Sequence, residues 1–126
     1  AVLAEMGAEV VALESDGRLV AIARRALGEL TGLRLRLEQG DLAAGWPEAA
    51  PYDAILIEGA VPQVPEAISS QLAEGGRLVT VLRPEGQTGR AVLGRRTGGA
   101  FSAVPAFDCQ TERLPGFSAP AGFVFA

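Results

Sequence analysis

YDAILIEGAV, residues 52–61, is the stretch on which the fold turns. Ile55, Leu56 and Ile57 form a continuous apolar run, the pattern of a strand buried on both faces. Strands of that kind belong to parallel sheets covered by helices. Asp53 stands near the start of the run, and Glu58 and Gly59 close it. Taken as a strand over 52–57, it finishes in a carboxylate and a glycine. Either the chain simply turns back to water there, or the strand's C-terminal end forms a ligand site.

The segments on either side supply the context. Residues 1–6, AVLAEM, read as the tail of a helix stopped by Gly7. EVVAL, 9–13, is a β-branched strand ending at Glu14, and Asp16 is placed to cap the helix that follows. Over 17–30, Leu19, Ile22, Ala23, Ala26, Leu27 and Leu30 recur at helical spacing, and Thr31-Gly32 ends the helix. LRLRLEQGD, 33–41, alternates leucine with charge, which predicts a strand with one wet face at a sheet edge. Gly45-Trp46-Pro47 lies in a loop, with Trp46 as a packing lid. After the quoted strand, Pro65 and Glu66 open a helix over 65–73. Gly75-Gly76 stops it, and RLVTVL, 77–82, is another apolar strand. With one strand added in front, this order becomes largely alternating β and α, the signature of an α/β fold with a parallel sheet.

The last third changes character. Residues 90–96 and 100–107 read as two strands joined by a turn at Thr97-Gly98-Gly99. Pro105 assigns the second strand to an edge or a bulge. No helix intervenes between 82 and 90, so an antiparallel hairpin is expected at the end of the sheet. Phe117, Phe123 and Phe125 of the proline- and glycine-rich tail are expected to fold back onto the domain, with Phe123–Phe125 extended. Residues 1–126 read as one domain.

Composition narrows the chemistry. The net charge is −4 and all 11 basic residues are arginine, so a phosphate-tracking basic block is missing and nucleic acid is not an expected partner. No apolar run is long enough to span a bilayer, so no membrane partner is expected either. One cysteine, Cys109, gives neither a disulfide framework nor a thiol metal cluster, and it fits a cytoplasmic setting. Histidine is absent, which removes Ser-His triads and the usual zinc sites; no metal is expected. The chemistry falls to carboxylates, hydroxyls or a borrowed cofactor.

In open α/β sheets, ligands sit beyond the carboxyl ends of the strands. Glu14, Asp41 and Glu58 mark three such ends. A carboxylate after the second strand can accept both hydroxyl hydrogens of a ribose. One after the third can accept from the exocyclic amine of a purine, and one after the fourth lies beside the rest of the ligand. Any of them alone is equally a strand ending at a wet loop. Their recurrence with the strand order gives the pattern its weight.

VVALESD (10–16), QGDLAAGWP (39–47), YDAILIEGAVPQVPEAISSQLAEGGRLVTVL (52–82) and GRAVLGRRTGG (89–99) together resemble the protein-L-isoaspartate O-methyltransferases, a family of class I S-adenosylmethionine-dependent enzymes. The resemblance implies a partial Rossmann-like sheet in three αβα layers, mostly parallel with a C-terminal antiparallel hairpin. The first strand would lie between the second and fourth, and the seventh between the fifth and sixth. It implies S-adenosyl-L-methionine as cofactor, bound through Glu14 and Asp41 with Ser15, Leu42 and Glu58 in support. It implies isoaspartyl residues of damaged proteins as substrate. No catalytic residue is assigned within the chain.

A glycine fingerprint sits about 20 residues before the acid of the second strand. Only 13 residues precede Glu14, so the glycine loop and first strand are expected upstream of Ala1. On this reading the chain is the C-terminal part of a longer enzyme, inactive alone, with a gap between the second and fourth strands. The alternatives are a methyltransferase of the same fold acting on a small molecule or RNA, a nicotinamide-binding Rossmann domain, and a non-catalytic remnant.

Overall fold

The computed structural model describes residues 9–27, 35–84, 86–111 and 114–117. The elements run β1 (Val10–Glu14), α1 (Gly17–Leu27), β2 (Leu35–Gln39), β3 (Tyr52–Val61), α2 (Glu66–Ser69), β4 (Leu72–Leu82), β5 (Arg90–Thr97) and β6 (Ala100–Asp108). Two single turns of 3₁₀ helix, Leu42–Ala44 and Pro47–Ala49, fill the connection from β2 to β3. The expected helix over 1–6, the end of the helix over 28–30 and the Phe123–Phe125 segment lie outside the described residues.

The strands form two sheets. β1 pairs in parallel with β2, from Val10 against Leu35 to Glu14 against Gln39. The other four follow the order β3-β4-β5-β6, with β3–β4 parallel and the next two pairs antiparallel. β1 and β3 are not paired with each other. Among the described residues each has one strand neighbour only, so the expected gap between the second and fourth strands is present. The far end differs from expectation. The sixth strand by family count, β5, itself lies beside β4, and β6 forms the outer edge. The short connection from β4 to β5 carries no helix among its described residues, and the chain turns back onto its neighbour.

β3 is longer than its sequence pattern suggests and less buried. Leu56 is opposite Val79, and the next pair is Ala60 with Val81. Four steps on β3 therefore match two on β4, and Ile57, Glu58 and Gly59 occupy the bulge. Glu58 lies within the strand and not at its end. Gly59 is required there because Leu114 packs directly on it: a Cβ would stand 2.5 Å from Leu114 Cγ. Thr80 Oγ1 donates to Gly59 O at 3.2 Å, and Leu114 N donates to Ala60 O at 2.9 Å. The expectation of burial on both faces fails at Leu56, which is 52% exposed, while Ile57 is buried. The described elements cover one face of this sheet. There Ile57, Val61, Ile68, Leu72 and Leu78 form the core, joined by Phe101, Leu114 and Phe117. On the other face Leu56, Val79, Leu93 and Val104 stand in one cross-strand row.

The two helices also depart from their sequence patterns. Asp16 caps α1 as expected, accepting from Arg18 N at 2.8 Å. Its buried side chain is Val20, however, and Leu19 and Ile22 of the predicted apolar face are exposed. The helix expected over 65–73 is a single turn. Ser69 Oγ and Ser70 Oγ donate to the carbonyls of Glu66 and Ala67, the local competition that shortens helices. Leu72 already pairs with Tyr52, and the register then jumps to Arg77 opposite Ala54. Gly75, at φ 77°, turns the intervening detour, so the glycine pair interrupts β4 instead of ending a helix. The hairpin matches expectation. Gly98 and Gly99 take φ of 62° and 80°, and the Glu74 carboxylate accepts from both of their N–H groups. Pro105 lies on the edge strand beside a register shift.

Leu78 and Val79 are sequence neighbours on opposite faces, at 0% and 45% exposure. Leu78→Ala should cost about 2–5 kcal/mol by removing core volume, whereas Val79→Ala should stay within about 1 kcal/mol. Denaturant titration of both variants checks this. Equal losses would mean that the second face is covered as well.

Candidate functional site

The gap between the unpaired edges of β1 and β3, the place expected for the first strand, opens as a cleft of ≈ 610 Å³ lined by both strands. Parallel pairing of β1 with β2 brings two of the predicted acids to one end of that sheet. Glu14 is opposite Gln39, and Gly40 N donates to Glu14 O at 3.0 Å. Asp41 therefore leaves β2 beside the point where Glu14 leaves β1. Asp41 caps the first 3₁₀ turn, its Oδ1 accepting from Ala43 N at 3.2 Å, which commits one carboxylate oxygen to the backbone.

Of the predicted residues, Glu14, Leu42 and Glu58 line the cleft. Asp41 and Ser15 are exposed and are not among its lining residues. Glu58 reaches the cleft from the bulge, so the irregularity in β3 is what presents its side chain. A second group of lining residues was not picked out as a site: Tyr52, Gln71, Leu114 and Phe117. The tail phenylalanines signalled packing, which Phe117 fulfils against the core. Nothing in the pattern of 70–77 marked Gln71.

Trp46 serves as the expected lid. Its ring closes over Gly40, where a Cβ would stand 3.6 Å from the ring. Its indole Nε1 is buried without a hydrogen-bond partner among the described residues. The Tyr52 hydroxyl donates to Trp46 O. Burial pushes the Tyr52 phenol above its ordinary value, and Glu48 adds to the rise while Arg36 opposes it. The phenol is thereby kept as a neutral donor through the physiological range.

The charge of the lining is one-sided. Glu9, Glu14 and Glu58 carry its carboxylates, and among the described residues no arginine lines it. The apolar walls include Val11, Leu13, Leu42, Ile57 and Phe117. This set can hold a flat apolar body, accept from hydroxyl or amino donors, and favour positive charge. It offers no cation to a phosphate.

Residues 1–105 match the sequence profile of the family described as protein-L-isoaspartate(D-aspartate) O-methyltransferase. A curated protein-L-isoaspartate O-methyltransferase of Methylorubrum populi is 55% identical over 86 residues, covering 68% of this chain and 40% of that protein. One from Methylorubrum extorquens is 46% identical over 113 residues, 83% of this chain and 49% of that protein. The chain thus spans less than half of these relatives' length. A solved protein-L-isoaspartate O-methyltransferase superposes with a TM-score of 0.79 at 27% identity, over 85% of this chain and 34% of the other. A Plasmodium falciparum protein of the same description, solved with S-adenosyl-L-homocysteine, gives a TM-score of 0.74 at 20% identity, over 91% and 56% of the two chains. The chain belongs to the protein-L-isoaspartate(D-aspartate) O-methyltransferase family.

Proposed function

We propose that this chain forms the adenosine-binding part of an S-adenosylmethionine-dependent methyltransferase acting on isoaspartyl carboxylates of damaged proteins. The observation that carries the reading is the lining of the cleft: Glu14, at the end of β1, and Glu58, on β3, both line it, and among the described residues no arginine does. S-adenosylmethionine is a nucleoside with a sulfonium and an ammonium and no phosphate. A nicotinamide dinucleotide brings a pyrophosphate, which such proteins seat on backbone N–H groups at a helix N-terminus. The carboxylates of Glu14 and Glu58 would repel such a group.

Each residue has a defined part. Glu14, at the end of β1, accepts from the ribose hydroxyls. Leu42 and Phe117 supply apolar walls to the base, and Asp41 offers its uncommitted oxygen to the base's amine. Glu58 lies where the cationic part of the ligand extends. Bound S-adenosylmethionine supplies an activated methyl group. The acceptor carboxylate is ionised at neutral pH and needs no general base, which is compatible with a chain free of histidine. Catalysis then rests on holding donor and acceptor in line. A cytoplasmic location fits the single unpaired Cys109.

The test uses the full-length protein, with Trp46, the one tryptophan of this chain, as reporter. S-adenosylhomocysteine should perturb its fluorescence saturably and NAD should not; binding of NAD in preference would overturn the proposal. Glu14→Ala should weaken S-adenosylhomocysteine by about 1–3 kcal/mol, the scale of lost charge-assisted hydrogen bonds. Asp41→Ala should do less, since one of its oxygens already serves Ala43.

The substrate is tested separately by offering isoaspartyl and aspartyl forms of one peptide with labelled S-adenosylmethionine. Methyl ester should accumulate on the isoaspartyl form. Equal labelling of both, or labelling only of small-molecule acceptors, removes the substrate assignment and leaves the cofactor reading standing.

A further inference from the structure

The connection from β2 to β3 carries Asp41, Leu42 and Trp46, and it must be fixed against the four-stranded sheet for the cleft to have a set width. One side chain makes that link twice and bonds a third time to α2. Gln71 is 7% exposed. Its Oε1 accepts from Trp46 N at 3.1 Å, and its Nε2 donates to Ala44 O and to Ala67 O, both at 2.8 Å. Its backbone carbonyl accepts from Tyr52 N at 2.8 Å, which anchors the start of β3. Tyr52 in turn donates to Trp46 O. Gly45 leaves room for the amide: at φ 63°, a Cβ there would lie 2.7 Å from Gln71 Nε2.

A buried primary amide with donor and acceptor both engaged is a directional clamp, unlike an apolar contact that can slide. The clamped carbonyl, Ala44 O, ends the 3₁₀ turn that Asp41 caps. Displacing it displaces Asp41 together with Leu42, which lines the cleft.

We infer that Gln71 is a positioning residue that holds the Asp41–Trp46 segment against α2 and β4, and so sets where Asp41 and Leu42 stand for a nucleoside bound beyond the ends of β1 and β2. The inference rests on the cofactor reading above. Gln71 touches no ligand in this role. It acts through Ala44 and Trp46.

The full-length protein and three variants test it. Gln71→Met keeps length and apolar volume but makes none of the three side-chain bonds. Gly45→Ala presses on the same amide from the other side, and it keeps the test alive if Gln71→Met fails to fold. Leu78→Ala destabilises the core without touching the clamp. All are measured well below their melting midpoints. Gln71→Met and Gly45→Ala should weaken S-adenosylhomocysteine roughly 10- to 100-fold, the scale of a site loosened by about 1 Å, and should shift Trp46 emission to the red. Leu78→Ala should retain parental affinity and emission. A Gln71→Met protein that melts earlier but binds as the parent does would overturn the inference. If the parent itself does not bind, the cofactor reading falls, and Trp46 emission alone decides. A red shift in Gln71→Met then sustains the clamp, and an unchanged spectrum removes it.

Discussion

A strand edge is a row of backbone donors and acceptors, and its pairing governs everything built beside it. β1 pairs only with β2 and β3 only with β4 among the described residues, so two unsatisfied edges belong to the two walls of one cleft. That constraint explains the partial exposure of an apolar strand. Leu56 sits in the continuous apolar run of a covered strand yet stands 52% exposed, because the four-stranded sheet is covered on its Ile57–Leu78 side. Open edges of this kind are also where chains pair with one another.

The bulge in β3 answers the opposition posed by Glu58 and Gly59. Neither residue ends the strand. The extra length turns Glu58 toward the cleft, and the missing side chain at Gly59 lets Leu114 settle on the backbone. One irregularity thus serves two purposes, presenting a carboxylate and docking the segment that brings Phe117 to the same cleft. Bulges collect beside ligand sites because they re-aim a side chain without ending the sheet.

What could be read from the sequence was what local pattern dictates. The β-branched run of β1, the alternation in β2 and the paired glycines of the hairpin each fix backbone geometry within a few residues. Glu14 was legible because strand order and acid position recur together. The misreadings arose where distant groups decided. Ser69 and Ser70 bond to their own backbone and stop α2 after one turn, whereas the apolar spacing favoured a longer helix. Val20 is buried in place of Leu19 and Ile22 because the neighbouring strands, and not the periodicity of α1, determine which face is covered. Gln71 was invisible for the same reason: its partners lie 25 and 27 residues away, and a glutamine carries no periodic signature.

Electrostatics adds a further selection that composition alone conceals. The chain contains 11 arginines, enough to suggest anion binding if they converged. Among the described residues none lines the cleft, and Arg18, Arg36 and Arg90 face Asp16, Glu38 and Asp108 near the surface, where such pairs contribute little to stability. Three carboxylates, Glu9, Glu14 and Glu58, do line it. Two charges about 4 Å apart interact by about 4 kcal/mol at a protein surface, against about 1 kcal/mol in water. A concave site therefore discriminates between a cationic and an anionic ligand far more sharply than the net charge of −4 implies. Glu14 and Glu58 both line the cleft, one from β1 and one from the bulge of β3, so the local sign of charge there is set by these two strands and not by the composition of the whole chain.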